Sequence, residues 1–318
     1  MRLCRFRYQD QVHVGVYDEK SVTSLTIAAG THFLFTSQVA ELPPTDSLTD
    51  YLPPDRPGWP AVQKLVEWLQ GESRLPAGVS IPTERVELLV PIPRPNKLFL
   101  LAGNYAEHIR EHGGSTAERA ETFPYVFMKP PTTTLTDPGS PVRIPTVSPK
   151  HIDWELELAV VIGRRTRHIA EADALSAVAG YTIVNDISDR KFRPNPGRKQ
   201  REKDTFFDWM HGKWHDSFCP CGPCVTTADE VPDPQQLKMQ LRLNGAVRQD
   251  ASTALQIFPV AAIVAFISDL VTLEPGDIIS TGTPSGVGSA SGTFLKPGDM
   301  LEASIERIGT LRTPIESE

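Results

Sequence analysis

The stretch that decides the fold is Trp154-Glu155-Leu156-Glu157-Leu158-Ala159-Val160-Val161-Ile162-Gly163. It begins with strict alternation and ends as a continuous apolar run, the pattern of a strand that is first half-buried and then buried on both faces. Side chains two apart on a strand share a face, so Glu155 and Glu157 project together, opposite Trp154, Leu156 and Leu158. The plain reading of such a pair is the solvent-facing side of a half-buried strand. Against it stands the run Ala159 to Ile162: a carboxylate pair at the edge of so apolar a segment calls for a cation. A third acid, Asp186, closes the next predicted strand, Tyr181 to Asn185, which can lie beside the first. Three carboxylates form a hard, all-oxygen site that suits Mg²⁺ or Mn²⁺ and does not suit zinc, which prefers nitrogen and sulfur.

Upstream, Asn104 and Glu107 have the spacing of an N-cap and its N3 partner, opening a short helix that Gly113-Gly114 closes. On that helix His108 and Glu111 are three apart and can meet, and a carboxylate that orients an imidazole makes it a competent general base. The alternative is a fortuitous exposed pair, with His112 next to it. Downstream, residues 190 to 212 are polar, hold Pro194, Pro196 and Gly197 and show no period, which predicts a long loop. Lys213 follows it. Glu171 to Ala179 reads as a short helix stopped by Gly180, and Pro259 to Leu270 as another helix. The cluster Cys219-Pro220-Cys221-Gly222-Pro223-Cys224 lacks a second cysteine pair at zinc-finger spacing, and its prolines predict a tight turn. The loop Ser280-Thr281-Gly282-Thr283-Pro284-Ser285-Gly286-Val287-Gly288 is neither a Walker A nor a GxGxxG sequence, although its amides and hydroxyls can hold a carboxylate. There is no GxSxG serine elbow.

The whole chain, 318 residues, is long enough for two domains. Its 29 prolines are nearly double the usual share of about 5%, which favours a turn-rich, β-leaning fold. Residues 1–92 read as a small unit, ended by the stiff segment around Pro91, Pro93 and Pro95. The net charge of −7 argues against nucleic acid and anionic membrane as partners. No secretory leader or membrane span is evident, and four cysteines are too few for a disulfide scaffold, so a cytoplasmic setting is expected. Between Arg190 and Lys203, however, seven basic residues face one acid, a local charge of +6 that can draw small carboxylates.

Taken in order, GNYAEH at 103–108, the E-x-E of WELELAVVIG, NDIS at 185–188, GKWHDSFCPCGP at 212–223 and STGTPSGVG at 280–288 resemble the fumarylacetoacetate hydrolase family across the second part of the chain. The resemblance implies an α+β fold, mostly β with short helices: a mixed β-sandwich roll at 93–318 preceded by the small N-terminal domain at 1–92. It implies that Glu155, Glu157 and Asp186 ligate Mg²⁺ or Mn²⁺, and that His108, Glu111 and Lys213 are catalytic. Arg190 and Thr283 correspond to substrate-binding positions, and Arg193 stands where a glutamine is common. Trp214-His215 replaces the usual Ser-Phe after the lysine. The implied activity is metal-dependent C–C bond hydrolysis of a small 2-oxo or 1,3-dicarbonyl acid; the alternatives are oxaloacetate-type decarboxylation or oxo-acid isomerisation or hydration. A non-catalytic anion-binding protein is the remote rival. The expected partners are a small anionic oxo acid and a second copy of the chain.

Overall fold

The computed structural model describes residues 1–115 and 119–318. Among them the chain forms a mixed α+β fold in which strands predominate over short helices. A twelve-stranded sheet runs through the molecule and a five-stranded sheet packs against it. The Leu156–Ile162 strand lies at the centre, antiparallel to Val178–Asn185 on one side and to Ile278–Ser280 on the other. Beyond Ile278–Ser280 come Leu98–Ala102, in parallel, and Tyr125–Met128 at the edge.

The 156–162 run is apolar on both faces because both faces are covered. Leu156, Leu158, Val160 and Ile162 join a core shared with the five-stranded sheet, through Leu241, Leu301, Ala303 and Ile305. Ala159 and Val161 point the other way, into a core with Leu3, Val62 and Val184. The first ninety residues contribute to this second core, and their Arg2–Tyr8 strand pairs with Cys219–Thr227, so they are tied into the same large sheet. The helix Trp59–Gly71 buries Val62, Leu65 and Val66 as its spacing predicts, and Val260–Leu270 buries Ile263, Val264 and Ile267.

The turns at 274–277 and 296–299 close as the Pro-Gly-Asp signals require. Gly276 and Gly298 take positive φ, and the carboxylates of Asp277 and Asp299 accept the amides of Glu274 and Lys296.

Several local expectations are overturned by tertiary contacts. Residues 190–212 are not a continuous loop: Asp204–His211 is a helix. Arg198 bridges Asp204 and Asp208 on it, and its aromatic side packs through Phe206 and Trp209. The cysteine cluster is not a turn but the start of a fully buried strand, Cys219–Thr227. Its prolines are accommodated where pairing with Val178–Asn185 is irregular and Pro220 meets a short parallel strand. Gly180 does not stop a helix; it sits inside the Val178–Asn185 strand after a 3₁₀ segment, Glu171–Ala177. A Cβ there would stand 2.2 Å from the Thr226 carbonyl, so the close strand approach itself demands glycine. Asn104 is not a cap: Tyr105 precedes the Ala106–Glu111 helix, while the Asn104 amide ties Phe258 to Thr281. Glu107 pairs with Arg110 instead of reaching back.

Candidate active site

Glu155, Glu157 and Asp186 converge as the strand alternation predicts. Leu156 pairs with Asn185, which sets Asp186 beside the two glutamates, and the Asp186 amide donates to the Glu155 carbonyl at 2.9 Å. One oxygen from each carboxylate lies within 4.8 Å of the others, and all three residues are buried. Burying three carboxylates is costly unless each finds a cation or donors. Lys213 supplies the first counter-charge, its Nζ donating to Glu155 Oε2 at 3.0 Å, Asp186 Oδ2 at 2.6 Å and the Ser188 hydroxyl at 2.9 Å. Arg190 supplies the second, reaching Glu155 Oε1 at 2.6 Å and donating from Nε to Asp153 Oδ2 at 2.7 Å. Lys129 supplies the third, donating to Asp186 Oδ1 and to the carbonyls of Ile187 and Phe218.

Those cations sort the acids. Burial pushes the Glu155 carboxyl up, but Arg190 and Lys213 outweigh it and hold it well below the usual range. Burial lowers the Lys213 ammonium, yet Asp186 and Glu155 bring it above its ordinary value, so it stays charged. No cation forms an ion pair with Glu157 among the described residues. Burial, then Asp186 and Glu155, push its carboxyl well up. Its Oε2 accepts from the Ser280 hydroxyl at 2.6 Å and the Gly282 amide at 2.8 Å, while Oε1 is buried with no partner. Asp153, Glu155, Glu157 and Asp186 thus face three cations, and the orphaned oxygen lies on the acid left over. An all-oxygen donor set short of one positive centre fits a hard divalent ion.

Beside this cluster the Ala106–Glu111 helix brings His108 Nδ1 within 2.8 Å of Glu111 Oε1, and Glu111 Oε2 accepts the Gly286 amide at 3.0 Å. His108 also adds to the forces that keep Glu155 ionised, so the dyad and the carboxylates form one site. Lys213 Nζ lies 5.1 Å from the Phe127 ring centre and 5.5 Å from that of Trp209, which wall it on the apolar side.

The substrate-binding candidates stand differently from one another. Arg190 is half-buried, its guanidinium turned onto carboxylates. Arg193 is exposed, and both arginines border a cavity of about 590 Å³ with Phe192, Asp208 and Trp209. Thr283 is buried, and its hydroxyl donates to the Leu156 carbonyl at 2.9 Å while accepting from Gln249 at 2.8 Å. The 280–288 loop, read as able to hold a carboxylate, does so for Glu157 through Ser280 and Gly282, whereas two residues of the site escaped the sequence reading: Lys129 and Asp153. Only Lys129 left a local signal, a lysine directly after the apolar run Tyr125 to Met128.

Residues 97–316 match the C-terminal family of fumarylacetoacetate (FAA) hydrolases. The chain is a member of the fumarylacetoacetate hydrolase family. Its relatives include a 2,4-didehydro-3-deoxy-L-rhamnonate hydrolase from a Sphingomonas species, 41% identical over 71% of this chain and 75% of the relative. A mitochondrial oxaloacetate tautomerase from Homo sapiens is 37% identical over 73% of this chain and 70% of that one. Among solved structures, the maleylpyruvate hydrolase of Sphingobium sp. SYK-6 in complex with manganese(II) ion and pyruvate superposes with a TM-score of 0.72 at 29% identity, covering 100% of this chain and 99% of the other. Family members of this kind are enzymes of hydrolase, isomerase and tautomerase type. No helix among the described residues is long and apolar enough to cross a membrane.

Proposed function

We propose that this fumarylacetoacetate hydrolase family member is a divalent-metal-dependent hydrolase that cleaves a C–C bond in a small 2-oxo, 1,3-dicarbonyl acid of the acylpyruvate type. The observation that carries this reading is Glu157: a buried carboxylate without a cation, its Oε1 orphaned, between two other carboxylates and next to a His–Glu dyad. Glu155, Glu157 and Asp186 would hold Mg²⁺ or Mn²⁺, which when bound polarises the 2-oxo group of the substrate. Nδ1 of His108 faces a carboxylate, which accepts only, so in the neutral imidazole it carries the proton and Nε2 has the lone pair that can take a proton from water. Glu111 holds that tautomer, and the Gly286 amide holds Glu111. Lys213 keeps a positive charge at the carboxylates and offers it to an anionic substrate, because three carboxylates around a dication leave −1. Lys191, Arg193, Lys199 and Lys203, which make no ion pair among the described residues, would draw the substrate toward the cavity under the 190–209 segment.

A tautomerase or decarboxylase reading on oxaloacetate is favoured by the similarity to the mitochondrial tautomerase. Without a positioned water, the same dyad would move a proton between carbon and oxygen in tautomerisation, or protonate the enolate carbon left when CO2 departs in decarboxylation. In either reading residues 1–92 form a small N-terminal unit bracing the sheet, and the enzyme works in the cytoplasm as a homodimer. The test is a panel of acylpyruvates and oxaloacetate with Mg²⁺ or Mn²⁺, with EDTA, and with Glu157→Ala. Turnover should require the metal and Glu157, and His108→Ala should lower hydrolysis by about 10²-fold or more. Turnover that survives both EDTA and Glu157→Ala refutes the metal-dependent reading.

A further inference from the structure

The segment His108-Ile109-Arg110-Glu111-His112 contains a histidine that the reaction does not use. His112 follows the Ala106–Glu111 helix directly and lies one turn after His108, with the two rings edge to face and 4.8 Å between centres. Its Nδ1 stands 3.1 Å from the His108 carbonyl, which only accepts, so Nδ1 carries the proton. Its Nε2 stands 3.1 Å from the Ser289 hydroxyl. His108 is in the same state, its Nδ1–H given to Glu111. Each of the three side chains thus offers an atom that can ligate a metal once its proton is displaced, and Glu111 lies between the two histidines in sequence as an ionised carboxylate.

We propose that His108, His112 and Glu111 form a second metal site, distinct from the three-carboxylate centre, that takes Zn²⁺ or a similar borderline-soft divalent ion and inhibits the enzyme. One ligand atom from each of the three residues lies within 4.8 Å of the others. Donors on a zinc ion with bonds of about 2.1 Å stand at most about 4.2 Å apart, so closure needs a shift of about half an ångström. His112 is exposed, and its hydrogen bonds among the described residues are to the Ser289 hydroxyl and a helix carbonyl, so it can make that shift. The donor sets separate the metals. Two imidazoles and one carboxylate rank zinc far above magnesium, whereas the oxygen-only centre keeps the hard ion. The spacing H-x-x-E-H places two imidazoles one turn apart, as in helical zinc sites. A zinc ion on His108 and Glu111 takes the place of the proton they share, so the dyad no longer orients its base, and one divalent ion activates while another inhibits through different residues.

Binding does not depend on the proposed reaction; the inhibition rests on the role proposed for His108. The test is calorimetric titration of Zn²⁺ into the protein held in excess Mg²⁺, for wild type, His112→Gln and Glu157→Gln, with His112→Phe as a second variant should the glutamine fail to fold. One zinc equivalent is expected in wild type and in Glu157→Gln, with affinity lowered about tenfold or more in either His112 variant. On substrate at saturating Mg²⁺, zinc should inhibit wild type, while the His112 variants keep their basal turnover and resist. Equal zinc affinity with and without His112, no zinc uptake in excess Mg²⁺, or loss of uptake in Glu157→Gln would each overturn the site. If zinc binds through His112 but no oxo acid is turned over, the reaction reading fails and the site stands.

Discussion

Asp153 offers the sharpest test of how the site is held. Its side chain is fully buried and accepts four hydrogen bonds: Oδ1 from the amides of Trp154 at 2.8 Å and Gly288 at 2.6 Å, and Oδ2 from the Ser289 amide at 2.9 Å and Arg190 Nε at 2.7 Å. One carboxylate thereby joins the strand bearing the metal-ligand candidates, the loop that follows Gly286, and the guanidinium that reaches Glu155. Asp153→Asn keeps the shape but removes the charge and turns an NH₂ group toward two donors. Either the Ser289 amide and Arg190 or the Trp154 and Gly288 amides then face a donor. A hydrogen bond to a charged group contributes about 1.5–3 kcal/mol, and a broken buried ion pair costs about 3–5 kcal/mol. With water relieving part of the mismatch, the variant should lose about 2–4 kcal/mol, a drop of roughly 3–6 °C in Tm. Urea unfolding followed by circular dichroism, with Tm by calorimetry, measures this directly. Arg190 would keep Glu155 as its sole anchor, so kcat/KM on any turned-over oxo acid should fall about tenfold or more, while Asp153→Glu should not restore it because the longer arm cannot meet the same four donors. A variant within about 0.5 kcal/mol of wild type with unchanged kcat/KM would refute the claim that Asp153 organises the site.

Three further outcomes follow from the same structure. All four cysteines are free and buried, and burial pushes each thiol up, Cys219 and Cys224 to about 12; a thiol reagent should therefore leave the native protein unlabelled and label four sites after denaturation, and rapid native labelling would contradict the fold around Cys219–Thr227. Gly286 has φ +100°, and a Cβ would lie 2.1 Å from the Arg248 carbonyl; Gly286→Ala should displace the amide that holds Glu111, lowering kcat/KM and shifting the acidic limb of its pH profile, where a general base loses its proton, and an unchanged profile would remove the loop from the dyad's support. Burial pushes the Glu111 carboxyl up, but His108 and the Gly286 amide outweigh it and hold it below its usual value. The stability this carboxylate contributes is therefore present above about pH 4.3 and lost as pH falls through the lowered folded value. Glu111→Gln should be less stable than wild type at neutral pH, with the gap closing in acid; a gap constant across that range would show that the carboxylate's charge is not what matters.

What could be read from the sequence was the part that depends on short-range geometry. Alternation by two put Glu155 and Glu157 on one face, spacing by three put His108 against Glu111, and the Pro-Gly-Asp signals marked both turns. Each is a consequence of covalent spacing within one element, so the residues carry it wherever the element goes. The helix at 204–211 was not legible in this way, because Arg198 and the packing of Trp209 against Phe127 support it from outside its own segment. The strand at 219–227 was hidden for the opposite reason: its prolines signal a turn, and only its place between the Arg2–Tyr8 and Val178–Asn185 strands overrides them.

The site divides along the same line. By itself the sequence determined which acids could meet and which histidine had a carboxylate to orient it. Only the tertiary structure decided the charge balance: Lys129 reaches Asp186 from 57 residues away, Arg190 reaches back 37 residues to Asp153, and the Thr283 hydroxyl is committed to the Leu156 carbonyl. The physical reason is that a buried charge must find its partners in three dimensions, and those partners come from whichever segments the packing brings near. Periodicity states which face a side chain occupies; it carries no information about what a distant strand will place opposite it. Glu157 is distinguished from its neighbours by nothing in its own segment, and becomes the acid without a cation only when every other charge in the cluster has been matched.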